Sequence, residues 1–439
     1  MRPRIAVVHH SRHGTVRALA ARAAEGARDR GAEVRLLQVA EEEGRGGARW
    51  PEPVAAAGDV LWADGLVLAA PTYFGNVSSP FKRFLETTSP LWREGRLADR
   101  AVTAMTASTS THGGREATLL ALHQTVCHWG SWIVGADPAD PAVRRAGGNA
   151  YGVSATARPG GGASAHEAEA ARAQGRRLAG ITARARPEAG VGAGTGAGEG
   201  AGSGSGSGGP VRVTVVHCAD DAAARLLAQE CAAGARSAGA RVRLRRVPGA
   251  EAARTSWLPG AAAVAAAEDL AWADAVVFGA PARLGAMAAE LVGFVQSLEY
   301  GAGLLSGKPV SAFTVTPRTH AGSESALLAF HHVLLHSGGV IVPPGFTAPE
   351  VAAAGGNPYG AVYAGDAGAA PSAAALAAAA HQGRRAATAG RLLRRTTPYA
   401  PYGPGGDGDG YGYGDGAGRD QGEDMTERRG GQHGERAAV

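Results

Sequence analysis

The chain has 439 residues and a formal net charge of +5, with 45% hydrophobic and 5% aromatic residues; this length accommodates two or three domains with ample core. Residues 401–439 hold eight acidic side chains and four arginines, which leaves residues 1–400 at about +9. That surplus is scattered arginine rather than a basic run with interleaved aromatics, so it suits small anionic ligands and argues against a nucleic-acid groove.

The first stretch is Ile5-Ala6-Val7-Val8-His9-His10-Ser11-Arg12-His13-Gly14-Thr15-Val16. Its apolar run predicts a buried parallel strand, and residues 11–16 a tight loop. A helix follows at once, with Val16, Leu19, Ala20, Ala23, Ala24 and Ala27 on one face and Gly31 as its stop. Helix-start amides have no internal partner and the helix dipole favours an anion, so this loop suits a phosphate. Ser11 and Thr15 add hydroxyl donors, and Gly14 lets backbone approach a ligand. The alternative is that Ser11 or Thr15 simply caps the helix. His9 and His10, at the strand end, read as structural.

A second strand is expected over 33–39, then a polar connection with Trp50-Pro51. A third strand, 65–69, opens into Pro71-Thr72-Tyr73-Phe74-Gly75-Asn76, and a helix is expected over 78–87. A fourth strand, 101–106, opens into Ser108-Thr109-Ser110-Thr111-His112-Gly113-Gly114, and the helix after it runs to Trp129. A short fifth strand covers 132–134. A long excursion with Gly147-Gly148-Asn149-Ala150-Tyr151-Gly152 precedes a last helix over 164–184. Alternating strands and helices predict a doubly wound parallel sheet with helices on both faces. Ligands bind such sheets at the carboxyl ends of the strands, where all three Gly- and hydroxyl-rich loops fall.

The pattern then restarts. Arg4-Ile5-Ala6-Val7-Val8-His9 returns as Arg212-Val213-Thr214-Val215-Val216-His217, Pro71 to Gly75 as Pro281 to Gly285, Gly147-Gly148-Asn149 as Gly355-Gly356-Asn357, and Gln174-Gly175-Arg176-Arg177 as Gln382-Gly383-Arg384-Arg385. An offset near 208 across a whole domain means tandem duplication. The organisation read from this is a domain at 1–186, a Gly/Ala/Ser linker at 187–209, a second domain at 210–396 and a disordered tail at 397–439. The fold class is α/β: two tandem doubly wound parallel five-stranded sheets.

Cys127, Cys218 and Cys231 form no C-x-x-C pair, which argues against disulfides or zinc and for a reducing cytoplasm. A strand starting by Ile5 leaves no room for a signal peptide. No apolar run is long enough for a bilayer, since the Ala-rich stretch 261–282 contains Glu268, Asp269 and Asp274.

Each repeat resembles the WrbA-type branch of flavodoxin-like proteins, the FMN-dependent NAD(P)H:quinone oxidoreductases. The resemblance rests in repeat 1 on residues 11–16, 71–76 and 108–114, on Trp92, on His128 before Trp129-Gly130, and on the excursion 147–152. It implies that Ser11, Arg12, His13, Gly14, Thr15 and Val16 hold the FMN phosphate. Thr72, Tyr73, Phe74 and Gly75, with Ser108, Thr109, Ser110, Thr111, His112 and Gly113, would border the flavin ring, with His128 in contact with it. Trp92 would line the substrate face; a core aromatic is its alternative, as an ordinary helix-end histidine is for His128. The family often has Tyr where His13 stands and Gly where Ser110 and His112 stand, which bears on nucleotide preference and loop shape.

The implied reaction is two-electron reduction of a quinone by NAD(P)H in alternation at one site, without a side-chain nucleophile or metal. The alternatives are an FMN electron carrier or redox sensor, and a flavin-free oligomerisation or interaction protein. In repeat 2, Ser11-Arg12-His13-Gly14-Thr15 corresponds to Ala219-Asp220-Asp221-Ala222-Ala223. Both hydroxyls and the glycine are gone, so repeat 2 is expected to lack flavin and to act as a built-in partner subunit. A homo-oligomer, a dimer of two-repeat chains, is expected.

Overall fold

The computed structural model describes residues 2–41, 50–158, 160–185, 209–218, 221–248, 262–299, 303–365 and 369–394. The expected tail, the linker up to residue 208, and Ala219 and Asp220 lie outside the described residues.

Repeat 1 runs β1 (Arg4–His9), α1 (Thr15–Asp29), β2 (Glu33–Gln38), α2 (Ala57–Trp62), β3 (Gly65–Tyr73), β4 (Asn76–Val77), α3 (Ser79–Glu86), α4 (Ser89–Arg93), β5 (Ala101–Ser108), α5 (Arg115–Trp129), β6 (Trp132–Val134), α6 (Pro141–Arg145), β7 (Val153–Thr156) and α7 (Ala165–Ala185). Repeat 2 follows with β8 (Arg212–His217), α8 (Ala222–Ser237), β9 (Arg241–Arg246), β10 (Ala263–Val264), α9 (Ala267–Trp272), β11 (Ala275–Arg283), β12 (Ala286–Met287), α10 (Ala289–Glu299), β13 (Pro309–Thr316), α11 (Ser323–His336), β14 (Val340–Ile341), α12 (Pro349–Ala353), β15 (Val362–Ala364) and α13 (Ala373–Leu393).

Within repeat 1 the parallel strands lie in the order β2-β1-β3-β5-β6, and repeat 2 repeats it as β9-β8-β11-β13-β14. This is the doubly wound order whose switch point lies between the first and third strands. β1 and β3 are buried almost throughout, which is why they read as continuous apolar runs rather than alternating ones. Gly31 stops α1 as expected: it takes φ 76, donates to the Arg28 carbonyl, and Ala32 donates to Ala27.

The excursion after β6 is more ordered than its sequence indicates. It holds α6 and then β7, which pairs with the carboxyl half of β5 while β6 pairs with its amino half. The fifth strand is therefore split in two. α6 is only five residues long, too short for a helical period to register.

Helices α1 and α7 pack backbone to backbone. A Cβ on Gly175 would lie 2.0 Å from the Ala23 carbonyl oxygen, and one on Gly26 1.9 Å from that of Arg172. Gly383 and Gly234 play the same parts between α13 and α8. Small size, not turn formation, explains these helical glycines.

The two sheets join into one. β6 pairs antiparallel with β14, Ile133 opposite Ile341 and Val134 opposite Val340. Cys127, Ile133, Leu335 and Ile341 belong to one continuous hydrophobic core that spans both repeats. Two arginines fasten the join reciprocally: Arg177 donates to the Gly338 carbonyl at 2.7 Å and Arg385 to the Gly130 carbonyl at 2.8 Å. These are the last residues of the two Gln-Gly-Arg-Arg motifs.

Candidate functional site

The three loops of repeat 1 converge at the carboxyl edge of β1, β3 and β5. α1 begins after Gly14, which adopts φ 93 and leaves the helix without a side-chain cap. Ser11 is not the cap either; its Oγ accepts from the Gly14 amide at 3.2 Å within the loop. The Thr15 hydroxyl is buried and has no hydrogen-bond partner. A buried, unsatisfied hydroxyl at an uncapped helix N-terminus is unfavourable unless a ligand completes it. Arg12 is half-buried and His13 exposed at the loop's outer side, while Val16 faces the core.

Two elements that sequence reasoning missed hold this loop. Trp50 donates from Nε1 to the Ser11 carbonyl at 2.6 Å, and its ring lies 3.5 Å from a Cβ built on Gly14. Gly161 comes so close that a Cβ there would lie 2.4 Å from the His13 carbonyl oxygen. Arg17 stacks on Trp50 and pairs with Glu52 at 2.7 Å, and Glu52 lies 3.7 Å from His9. Burial pushes the His9 pKa down to about 4, so it is neutral. His10 bonds Ser78 at 2.8 Å and Glu41 at 2.9 Å.

The second loop is a hairpin tip. Thr72 pairs with Val77 and Tyr73 with Asn76, leaving Phe74 at φ 52 and Gly75 at φ 77. Phe74 is fully exposed, at 103%. A large ring held in solvent on a strained backbone points to a ligand contact. Arg12 lies close enough to Tyr73 for the two side chains to interact, which sets the first loop beside the second.

The third loop touches the second. A Cβ on Gly114 would lie 2.8 Å from the Gly75 Cα, and Thr72 donates to the Gly114 carbonyl at 3.3 Å. Thr118 donates to Thr72 at 2.5 Å. Arg115 staples the loop from within, with Nε on the Ser108 hydroxyl at 2.8 Å and Nη2 on the Ser110 carbonyl at 3.0 Å. Gly113 packs against Ser108 and Ser110, while Thr109, Ser110, Thr111 and His112 are exposed.

Trp92 and His128 lie at the join between the repeats. Trp92 donates from Nε1 to the His128 carbonyl at 2.8 Å, and its ring meets Phe346 of repeat 2 edge-on at 5.6 Å. His128 lies between Phe346 and Tyr359, with Nε2 3.4 Å from the Tyr359 hydroxyl. A groove of about 560 Å³ runs from Asn76 and Val77, beside the second loop, to Trp92, His128 and Tyr359. The structure therefore brings Trp92 and His128 together, in a groove that residues 11–16 do not line.

A family model described as NADPH-dependent FMN reductase matches residues 3–141 and again 212–353. The chain belongs to this family. An NAD(P)H dehydrogenase (quinone) of Deinococcus radiodurans is 37% identical over 166 residues, 35% of this chain and 83% of that protein. One of Paracoccus denitrificans is 36% identical over 194 residues, 41% of this chain and 93% of that protein. Among solved structures, a WrbA-like flavodoxin from Agrobacterium tumefaciens aligns with a TM-score of 0.34 at 22% identity, over 42% of this chain and 99% of that one.

The cofactor of this FMN reductase family is FMN, and repeat 1 fits it: the orphaned Thr15 hydroxyl and uncapped α1 amides suit a phosphate, and the paired loops behind Phe74 suit a flat ring. Repeat 2 keeps the ring-side scaffold. Gly322 approaches the Gly285 Cα as Gly114 approaches Gly75, and Leu284 repeats Phe74 with φ 52 and full exposure. Its helix start differs. Asp221 caps α8 with its own carboxylate, accepting from the Ala224 amide at 2.8 Å. An aspartate thus occupies the position from which repeat 1 presents free amides.

Proposed function

We propose that this FMN reductase family member is an NAD(P)H:quinone oxidoreductase that binds one FMN per chain, in repeat 1, with repeat 2 as a covalently attached partner subunit. The observation that carries this reading is the contrast between the two helix starts. In repeat 1 the buried Thr15 hydroxyl lacks a partner. In repeat 2 the Asp221 carboxylate satisfies the helix itself and would oppose a phosphate charge at ~5 Å by roughly 3 kcal/mol at an effective dielectric near 20.

Ser11, Arg12, His13, Gly14, Thr15 and Val16 would bind the phosphate through hydroxyls and helix-start amides. Thr72, Tyr73, Phe74 and Gly75, with Ser108 to Gly113, would hold the ring edge. Bound FMN supplies the redox chemistry, taking a hydride from the nicotinamide and passing two electrons to the acceptor. The chain's part is to orient the partners and exclude water. The groove between Asn76 and Trp92 would admit donor and quinone in turn, which is a ping-pong scheme. A groove of this size favours turnover of a small acceptor over a pure electron carrier.

No helix among the described residues is long and apolar enough to cross a membrane. Cys127, Cys218 and Cys231 are buried and none is in a disulfide among the described residues, which suits the reducing cytoplasm this reading assigns. Two such chains associating would place four repeats in one particle with half the flavins of an undegenerate tetramer.

The test is release and identification of flavin from purified protein, with stoichiometry, followed by bleaching with NADH and recolouring with 1,4-benzoquinone. A colourless protein overturns the reading; bleaching without recolouring favours the carrier or sensor.

A further inference from the structure

We propose that the junction between the repeats selects its partner: the face of repeat 1 around Gly130 accepts repeat 2 and refuses a second repeat 1, and the face of repeat 2 around Gly338 refuses a second repeat 2. Gly345, Asp99 and Asp137 set this choice. The inference deepens the partner-subunit part of the reading above and does not depend on flavin stoichiometry or turnover.

The backbone of the junction is two-fold, but its side chains are not. At one end Gly345 of repeat 2 packs onto Gly130. A Cβ on Gly345 would lie 2.3 Å from the Gly130 Cα and 3.0 Å from the Cys127 carbonyl oxygen. The counterpart of Gly345 at the offset of 208 is Asp137. A second repeat 1 docking in this geometry would bring Asp137 into that contact, where the facing backbone leaves no room for a side chain. At the other end Asp137 is accommodated: Ser306 of repeat 2 donates to it at 3.1 Å, and Arg177 pairs with it at 2.8 Å. The counterpart of Ser306 is Ala98, which has no hydroxyl to offer.

Charge decides the opposite case. Arg385, whose side chain is 8% exposed, pairs with Asp99 across the junction at 2.9 Å. The counterpart of Asp99 is Gly307. The two positions are structurally equivalent: they take φ 61 and φ 70, and their amides donate to the Gly130 and Gly338 carbonyls respectively. Repeat 2 thus has glycine in place of both junction aspartates, and its Glu350 is engaged by Arg384 at 3.2 Å. A pair of repeats 2 would bury two arginines with no carboxylate at either position, which is strongly unfavourable. A clash against one wrong partner and an unpaired charge against the other are the two devices by which an interface gains specificity.

The experiment inserts a protease site into the linker of the full-length chain, cleaves the folded, FMN-loaded protein, and reads the composition of the particles by native mass spectrometry after incubation. Every particle is expected to hold the two repeats in equal number. In the same cleaved protein Gly345→Asp should raise the dissociation constant between the repeats about tenfold or more. Gly355→Asp, at φ 98 with open space around it, controls for backbone strain and should change that constant less than about twofold. Gly307→Asp, which gives repeat 2 the missing carboxylate, should produce pairs of repeat 2. Homotypic pairs in the wild type, equal losses for Gly345→Asp and Gly355→Asp, or no repeat 2 pairs with Gly307→Asp overturn the inference and leave the partner role of repeat 2 in place. Separation of the cleaved wild type into single repeats overturns the inference and the partner-subunit reading together.

Discussion

Ile133 stands opposite Ile341 in the antiparallel junction, and each is the other's counterpart at the offset of 208. A residue facing its own duplicate marks a two-fold axis, here an axis inside a single chain. The reciprocal bonds of Arg177 to Gly338 and Arg385 to Gly130 obey the same symmetry. The junction therefore has the isologous form of a homodimer interface, with the partner supplied at high effective concentration by covalent linkage.

Arg385 is expected to carry much of that junction. Its guanidinium is buried and bonds the Gly130 and Pro343 carbonyls, with Asp99 at 2.9 Å. Arg385→Ala removes a buried donor from the Pro343 and Gly130 carbonyls and from Asp99, although Gly130 keeps the Asp99 amide and Asp99 keeps the Trp132 indole, and should cost about 2 kcal/mol. Asp99→Asn, at the exposed end of the pair, should cost less than about 1 kcal/mol. Guanidinium unfolding of both variants reads the difference, and equal losses would place the strength of the junction elsewhere.

Thr15→Ala should have opposite effects on the apoprotein and on flavin binding. Removing an unsatisfied buried hydroxyl is expected to leave the apoprotein as stable or more stable, by up to about 1 kcal/mol. Removing a charge-assisted donor weakens FMN. With Ser11→Ala added, the affinity should drop by roughly two orders of magnitude or more. Fluorescence titration and thermal unfolding on one preparation check both signs; unchanged affinity removes the phosphate-loop assignment.

One FMN per chain is the expected stoichiometry. Asp221→Ala should not raise it, because Ala222 and Ala223 still lack the glycine and hydroxyl of repeat 1. The variant should lose about 1 kcal/mol through the missing helix cap. A value near two in the wild type contradicts the loss of the second site.

Acid should loosen the junction. His123 and its counterpart His331 line a small cavity between α5 and α11, with Cys127 and His332 beside them. Burial first, and the neighbouring histidines second, hold both near a pKa of about 3. An unfolded histidine titrates near ~6.5. The unfolded state then binds more protons between these values, so stability is complete above the unfolded pKa and falls as pH drops towards 3. Each should cost about 2 kcal/mol at pH 5. His331→Leu should reduce proton uptake on unfolding between pH 6 and 4 by about one proton; an unaltered pH dependence would contradict a buried neutral histidine there.

Alternating occupancy of one groove predicts parallel double-reciprocal lines for NADH and benzoquinone. Trp92→Ala, which strips one aromatic wall, should harm the quinone half-reaction more than flavin retention. Intersecting lines would show both substrates bound together.

The sequence by itself determined the duplication, the order and faces of the main strands and helices, and the three loops at their carboxyl ends. These features are local: an apolar run encodes a buried strand, a helical period encodes a face, and a lost Thr15 at Ala223 is visible without coordinates. It also showed the Gly-Gly-Asn and Gln-Gly-Arg-Arg motifs without saying what they are for. Only the tertiary structure decided that the two sheets become one through Ile133 and Ile341, that Arg177 and Arg385 clamp opposite repeats, and that Tyr359 reaches the groove of repeat 1. The physical reason is that a strand's sequence encodes which face is buried but not which edge it meets. Contacts such as Tyr359 with His128 are set by that edge pairing, across 231 positions of chain. Trp50 and Gly161 escaped notice for the same reason, since a loop that covers another loop leaves no period in the sequence.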